Sequence, residues 1–175
     1  MGAATMKLLA VFDAKDYQDT VKVNEKYSVR GIIFREGRLA MQCSRDGEYK
    51  LPGGGMEPGE TRVQTLMREI REETGLLVVE DSIREIGEIQ EIRRDIFDPD
   101  CKYICHSLFY YCRVEEERAQ LRLTPSEEAK GYYLKWASPE EICRTNCILA
   151  KDPWIMRDTA FVKMLMDGSV SLPEK

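Results

Sequence analysis

The stretch from Leu51 to Leu76 constrains this chain more than any other, because a glycine loop runs straight into an acid-rich helix signature. Gly53 to Gly55 and Gly59 make a segment free to take positive φ, and they let another backbone or a phosphate approach closely. A helix is predicted next. Thr61 with Gln64 three residues on is a capping-box pattern, and Gly75 stands where a helix would end in a left-handed cap. At about 100° per residue, Val63, Leu66, Met67 and Ile70 gather on one face, which predicts the core side. Glu69, Glu72 and Glu73 fall at i, i+3 and i+4, a neighbouring stripe on which three carboxylates come within reach of a shared point. Glu73 projects within about 20° of Leu66, so it is expected at the edge of the apolar face, where solvent relieves the repulsion poorly.

The string Gly54, five residues, Glu60, seven residues, then Arg68-Glu69-Ile70-Arg71-Glu72-Glu73-Thr74-Gly75-Leu76 resembles the Nudix box, and Leu51-Pro52-Gly53-Gly54-Gly55 resembles the family's Pro-Gly-Gly lead-in. The resemblance covers residues 54–76 and their lead-in. It implies an enzyme that hydrolyses nucleoside diphosphates linked to another group. It also implies that Glu60 and Arg68 hold the loop against the helix, with Gly54 and Gly75 as the box's structural glycines. A further acidic residue from a loop ahead of a late strand often serves such enzymes. Here Glu127 and Glu128 precede the strand ending at Trp136, and either could reach the metal; the competing reading is a solvated loop after Thr124-Pro125.

Crowded carboxylates on Glu69, Glu72 and Glu73 call for a divalent cation. Hard oxygen ligands, no nearby histidine or cysteine, and the polyphosphate substrate implied by the resemblance point to Mg²⁺, with Mn²⁺ as a substitute. Such an ion neutralises phosphate oxygens and lowers the pKa of a bound water. Glu72 or another carboxylate could take the proton. The alternative is a solvated helix face laced with pairs such as Arg68 with Glu72. The glycine loop, Glu60 at its set distance and Gly75 weigh against it.

A chain of 175 residues, 43% of them hydrophobic, suits one compact domain over residues 1–175 with a real core. No stretch approaches the ~20 apolar residues of a membrane span, and the N-terminus lacks a signal-peptide shape, so a cytoplasmic protein is expected. The net charge of -5 argues against long nucleic acid. The expected partner is a small-molecule nucleotide, bound through a metal, with no membrane and with a homodimer left open. The six cysteines show no two-residue spacing and the chain has one histidine, which favours reduced structural thiols over zinc or disulfides.

Apolar, β-branched runs at 6–12, 28–34, 38–43, 83–93, 102–113 and 131–136 predict strands, with turns at Glu36-Gly37, Asp46-Gly47 and Asp98-Pro99. Ser138-Pro139 and Asp152-Pro153 each pair an N-cap residue with proline, so helices should begin there, the last running to about Met166. Glu115-Glu116-Glu117 reads as a hairpin tip. This order fits the α/β class and the Nudix-type α/β/α sandwich on a mixed β-sheet, although the box carries most of that reading. His106 shares a strand face with Ile104 and Leu108 and reads as a satisfied strand histidine rather than a catalytic one. Lys50, Arg45, Arg93 and Arg94 are candidates to meet phosphates, and Tyr103 or Phe97 to stack on a base, each against an ordinary surface or core role.

Substrate signatures are negative. ADP-ribose hydrolases of the family usually carry proline about fifteen residues past the last box glycine, where Gln90 and Glu91 stand here. Diadenosine polyphosphate enzymes usually carry a tyrosine slightly further on, and the nearest is Tyr103. A nucleoside triphosphate pyrophosphohydrolase is therefore favoured over a nucleotide-sugar hydrolase, and both over a non-catalytic nucleotide-sensing module.

Overall fold

In the computed structural model, which describes residues 5–173, the first half of the chain forms β1 (Leu8–Asp13), β2 (Lys22–Ile32), β3 (Phe34–Arg35), β4 (Arg38–Cys43), β5 (Tyr49–Lys50) and α1 (Arg62–Thr74). There follow β6 (Leu76–Val78), a 3-10 turn (Glu80–Ser82), β7 (Arg84–Arg94), β8 (Cys101–Tyr111), β9 (Val114–Arg118), α2 (Pro125–Lys130), β10 (Tyr133–Ala137), α3 (Pro139–Leu149) and α4 (Pro153–Met166).

A mixed sheet in the order β1-β7-β8-β2 forms the centre, with β1/β7 and β8/β2 parallel and β7/β8 antiparallel. A second, antiparallel sheet has the order β10-β4-β3, with β5 also paired to β4. Successive side chains of a strand point to opposite faces. Val29, Leu108 and Tyr110 accordingly pack with Leu66 and Ile70 of α1, while Ile32, Ile89 and Phe109 pack with Ile142 of α3 and Phe161 and Val162 of α4. Phe109 and Phe161 stack with ring centroids 4.2 Å apart. The result is the expected α/β arrangement, with α1 on one side of the mixed sheet and α3 and α4 on the other.

Three elements differ from the sequence expectation. β2 begins at Lys22 instead of near Ser28, because β8 offers it an unbroken partner from Lys22 opposite Cys101 to Ile32 opposite Tyr111. Its first residues are mostly polar and mostly exposed, so no apolar run marks them. Glu115 to Glu117 are not a hairpin tip but lie within β9, an exposed strand that pairs with β6. The segment after Thr124 is not a loop: Thr124 and Glu127 form a capping box, Pro125 opens α2, and Gly131 closes it in the left-handed conformation. That helix buries none of its residues, which is why no apolar periodicity announces it. All six cysteines are free, and no described helix is long and apolar enough to cross a membrane.

Candidate active site

The glycine loop is pinned from three elements, β2, α4 and α1. Along the open edge of β2, Val29 N–H donates to Gly54 O (2.9 Å), Gly31 N–H to Pro52 O (2.8 Å) and Met56 N–H to Tyr27 O (3.2 Å). From α4, Asp158 Oδ2 accepts the Leu51 N–H at 3.0 Å. From β2, the Arg30 guanidinium donates to the Gly53 carbonyl. From α1, Glu73 Oε2 accepts the Gly53 N–H at 2.7 Å. Glycine is required at position 53, and at position 54 its lack of a side chain leaves room for the Glu69 carboxylate. Gly53 has φ +140°, and a Cβ on it would collide with the Val29 carbonyl; a Cβ on Gly54 would lie 2.5 Å from Glu69 Oε1.

α1 begins with the predicted capping box between Thr61 and Gln64 and ends at Gly75 with φ 73°. Leu66 and Ile70 are fully buried, whereas Val63 and Met67, expected beside them, are only half-buried. Arg68 forks onto Glu60, Nε to Oε1 at 2.6 Å and Nη2 to Oε2 at 2.9 Å. It also donates to Gly55 O at 3.3 Å, so one guanidinium joins the helix to both ends of the loop. This partner holds the Glu60 carboxyl down at about 2.

The three carboxylates of α1 end up in different settings. Glu69 lies 2.9 Å from Arg68 Nη1, and Glu72 lies 3.3 Å from the same atom. Glu73, expected at the edge of the apolar face where solvent reaches poorly, is buried, and it contacts Lys50 Nζ at 3.1 Å. Burial pushes its carboxyl up to about 8 against the pull of Lys50, and a hydrogen bond with Glu127 adds to the rise. Burial also raises Glu69. The shared point expected from the i, i+3, i+4 spacing is not formed in this conformation. Arg68 draws Glu69 and Glu72 to itself, while Gly53 and Lys50 draw Glu73. Among the described residues, no group of three or more histidine, cysteine, aspartate or glutamate side chains is close enough to hold a metal ion.

Of the two later acids, only Glu127 reaches this cluster, with Oε1 at 3.4 Å from Lys50 Nζ. Burial would raise its carboxyl, but the hydrogen bond with Glu73, the Thr124 N–H and Lys50 together hold it below the usual range. Glu128 is exposed on the outer side of α2. Lys50, one of several candidate cations, thus bridges Glu73 and Glu127. Arg30 and Asp158 were not expected at all, and no local pattern marks either of them. The remaining candidates lie elsewhere. His106 sits between Glu88 (2.5 Å) and Glu25 (2.7 Å) and stacks on Tyr27, a satisfied strand histidine. Arg94 pairs with Asp19, Arg93 lies over the Tyr103 ring, Arg45 backs Gly131 behind α2, and Phe97 is exposed.

The chain that folds this glycine loop on to a carboxylate-bearing helix matches the family model of the NUDIX domain over residues 25–158. That is more than half of the chain, and the chain belongs to the Nudix family. Its structure is similar to that of a NUDIX hydrolase from Nitrosomonas europaea, with a TM-score of 0.60 over 87% of this chain and 98% of that one at 19% identity, a likeness of fold. In sequence it is similar to an ADP-ribose pyrophosphatase of Methanocaldococcus jannaschii, 33% identical over 75 residues, which are 41% of this chain and 43% of that protein. The match therefore spans less than half of that relative's length. A putative 8-oxo-dGTP diphosphatase, YtkD of Bacillus subtilis, is 27% identical over 85% of this chain and 90% of its own.

Proposed function

We propose that this chain hydrolyses a P–O–P linkage in a nucleoside diphosphate derivative, and that its substrate is a nucleoside triphosphate cleaved to the monophosphate and pyrophosphate. The observation that carries the reading is the buried Glu73, tied to Gly53 N–H, on the same helix stripe as Glu69 and Glu72. Three acids gathered on one stripe against the glycine loop, one of them buried, are costly to fold, more so than pinning the loop alone requires. Their hard oxygen donors fit a divalent cation, Mg²⁺ or, in its place, Mn²⁺, which Glu69, Glu72 and Glu73 would hold. When bound, such an ion neutralises phosphate oxygens and acidifies water.

The chain's own groups have separable tasks. Glu72 is the most exposed of the three, with its side chain 32% accessible against 15% for Glu69 and 3% for Glu73, so it takes the proton of the attacking water. Water adds to one phosphorus of the α–β linkage, the bond from that phosphorus to the bridging oxygen breaks, and the bridging oxygen leaves with the electron pair on the other product. Lys50 and Arg30 supply fixed positive charge behind the loop, and Glu127 holds Lys50 in place. Gln90 and Glu91 at the position where ADP-ribose enzymes carry proline, and the long match to YtkD, support the triphosphate. The Methanocaldococcus relative supports a second reading, a nucleotide-sugar substrate.

Products released from a panel of nucleoside triphosphates and nucleotide sugars, with Mg²⁺ and with chelator, test both. Cleavage of triphosphates in ¹⁸O-labelled water should place the label in one product only. Turnover of nucleotide sugars alone would transfer the proposal to the second reading. Nucleotide binding without turnover, with Mg²⁺ and again with Mn²⁺ in its place, would make the chain a sensor.

A further inference from the structure

Beside Glu72, on the side of α1 away from the core, a cavity of 470 Å³ opens between the helix, β6 and the segment joining β9 to α2. Three arginines line it: Arg68, Arg71 and Arg122. Arg68 is already committed to Glu60, Glu69 and Glu72. Arg71 and Arg122 are different. Both are exposed, and among the described residues neither has an ion-pair partner.

Their placement is not accidental drift of surface chains. The segment that carries Arg122 is laced to the end of α1: Ala119 N–H donates to Gly75 O at 2.7 Å, and Arg122 N–H donates to the carbonyl of Glu72 itself at 2.8 Å. Arg118 adds a bond to Thr74 O at 3.0 Å. One free guanidinium is therefore anchored on the backbone of an acid of the candidate site, and the other stands one residue before it on the helix. Arg71 also lies in the last turn of α1, where a cation complements the helix dipole. That accounts for Arg71 but not for Arg122 facing the same cavity. In a chain of net charge -5, two unpaired cations that share one cavity, whose only acid already contacts Arg68, leave a place for an anion. Met67, Leu77 and Val78 supply apolar wall, which lowers the local dielectric and strengthens such a contact.

We propose that Arg71 and Arg122 receive the terminal phosphates of the substrate, the part of a polyphosphate chain beyond the linkage that is cut. Guanidinium forks match phosphate oxygens in pairs, and a phosphate bound there continues directly from the carboxylate stripe through Glu72. The inference rests on the pyrophosphohydrolase reading and adds to it a preference for longer phosphate chains.

Calorimetry with Mg²⁺ present, using inorganic tripolyphosphate and orthophosphate as probes, tests the site without turnover. The native protein should bind tripolyphosphate at least ~10-fold more tightly than orthophosphate, and the double variant Arg71→Gln/Arg122→Gln should lose about that factor, equal to about 1.4 kcal/mol. The charge-matched double variant Lys151→Gln/Lys163→Gln, on and just before α4, should bind as the native protein does. In hydrolysis, the arginine variant should raise KM for a triphosphate more than it lowers kcat. No preference for tripolyphosphate, or equal loss in both double variants, overturns the site. Arginine-dependent tripolyphosphate binding in a protein that cleaves nothing would uphold the site while the hydrolytic reading falls. Unaltered binding and KM in the arginine variant of an active enzyme would do the reverse.

Discussion

Around Arg157 one buried cation is shared by two acids that both bond it, whereas along α1 charges and partners do not match. Arg157 is buried on α4. Its Nε and Nη2 reach Asp158 Oδ1 at 2.9 and 2.8 Å, and its Nη1 reaches Glu91 Oε2 at 3.3 Å and Ser107 Oγ at 3.0 Å. The second oxygen of Asp158 accepts the Leu51 N–H, so both of its oxygens are engaged within the fold. On α1, Glu73 is raised to about 8 by burial, Glu72 stays half-open, and Arg71 is unpaired among the described residues. Both clusters touch the glycine loop. A saturated polar cluster holds a fold in place, and an unsaturated one holds charge ready for something that arrives.

The sharpest way to break this contrast is Arg157→Met, which should destabilise the protein by about 3–5 kcal/mol, because Glu91 and Asp158 are left buried without their cation. Urea unfolding reads this directly, and a loss under ~1 kcal/mol would mean that the cluster is not the lock described. Next in size is Glu72→Gln, expected to lower kcat by at least ~10²-fold while the unfolding midpoint scarcely moves. A near-native rate would place the base elsewhere on the stripe.

The finest test separates Glu127 from Glu128. Glutamine preserves the capping box at position 127, so Glu127→Gln should keep α2 folded and still slow turnover, through Lys50 and Glu73, by ~10-fold or more. Glu128→Gln should leave stability within about 0.5 kcal/mol and kcat as it was, since its side chain faces water. Equal effects at the two positions would undo the assignment of Glu127 to the cluster.

Local rules carried the sequence far along the segment from Leu51 to Leu76. Capping, glycine conformation and the 3.6-residue period act over a few residues, so Thr61, Gly75, Leu66 and Ile70 were readable in place, as were the prolines that open α3 and α4. The same capping pattern stood at Thr124 and Glu127, yet α2 stayed hidden because it presents no buried face. Partner choice was beyond reach. Lys50 meets Glu73 and Glu127, Arg30 meets Gly53, and Asp158 meets Leu51 across long stretches of chain, and only packing of β2, β5 and α4 around the loop brings them together. The burial of Glu73 is likewise tertiary. Its place on the helix follows from spacing, but its lost water, and with it the raised carboxyl, comes from the loop and strands that close over it.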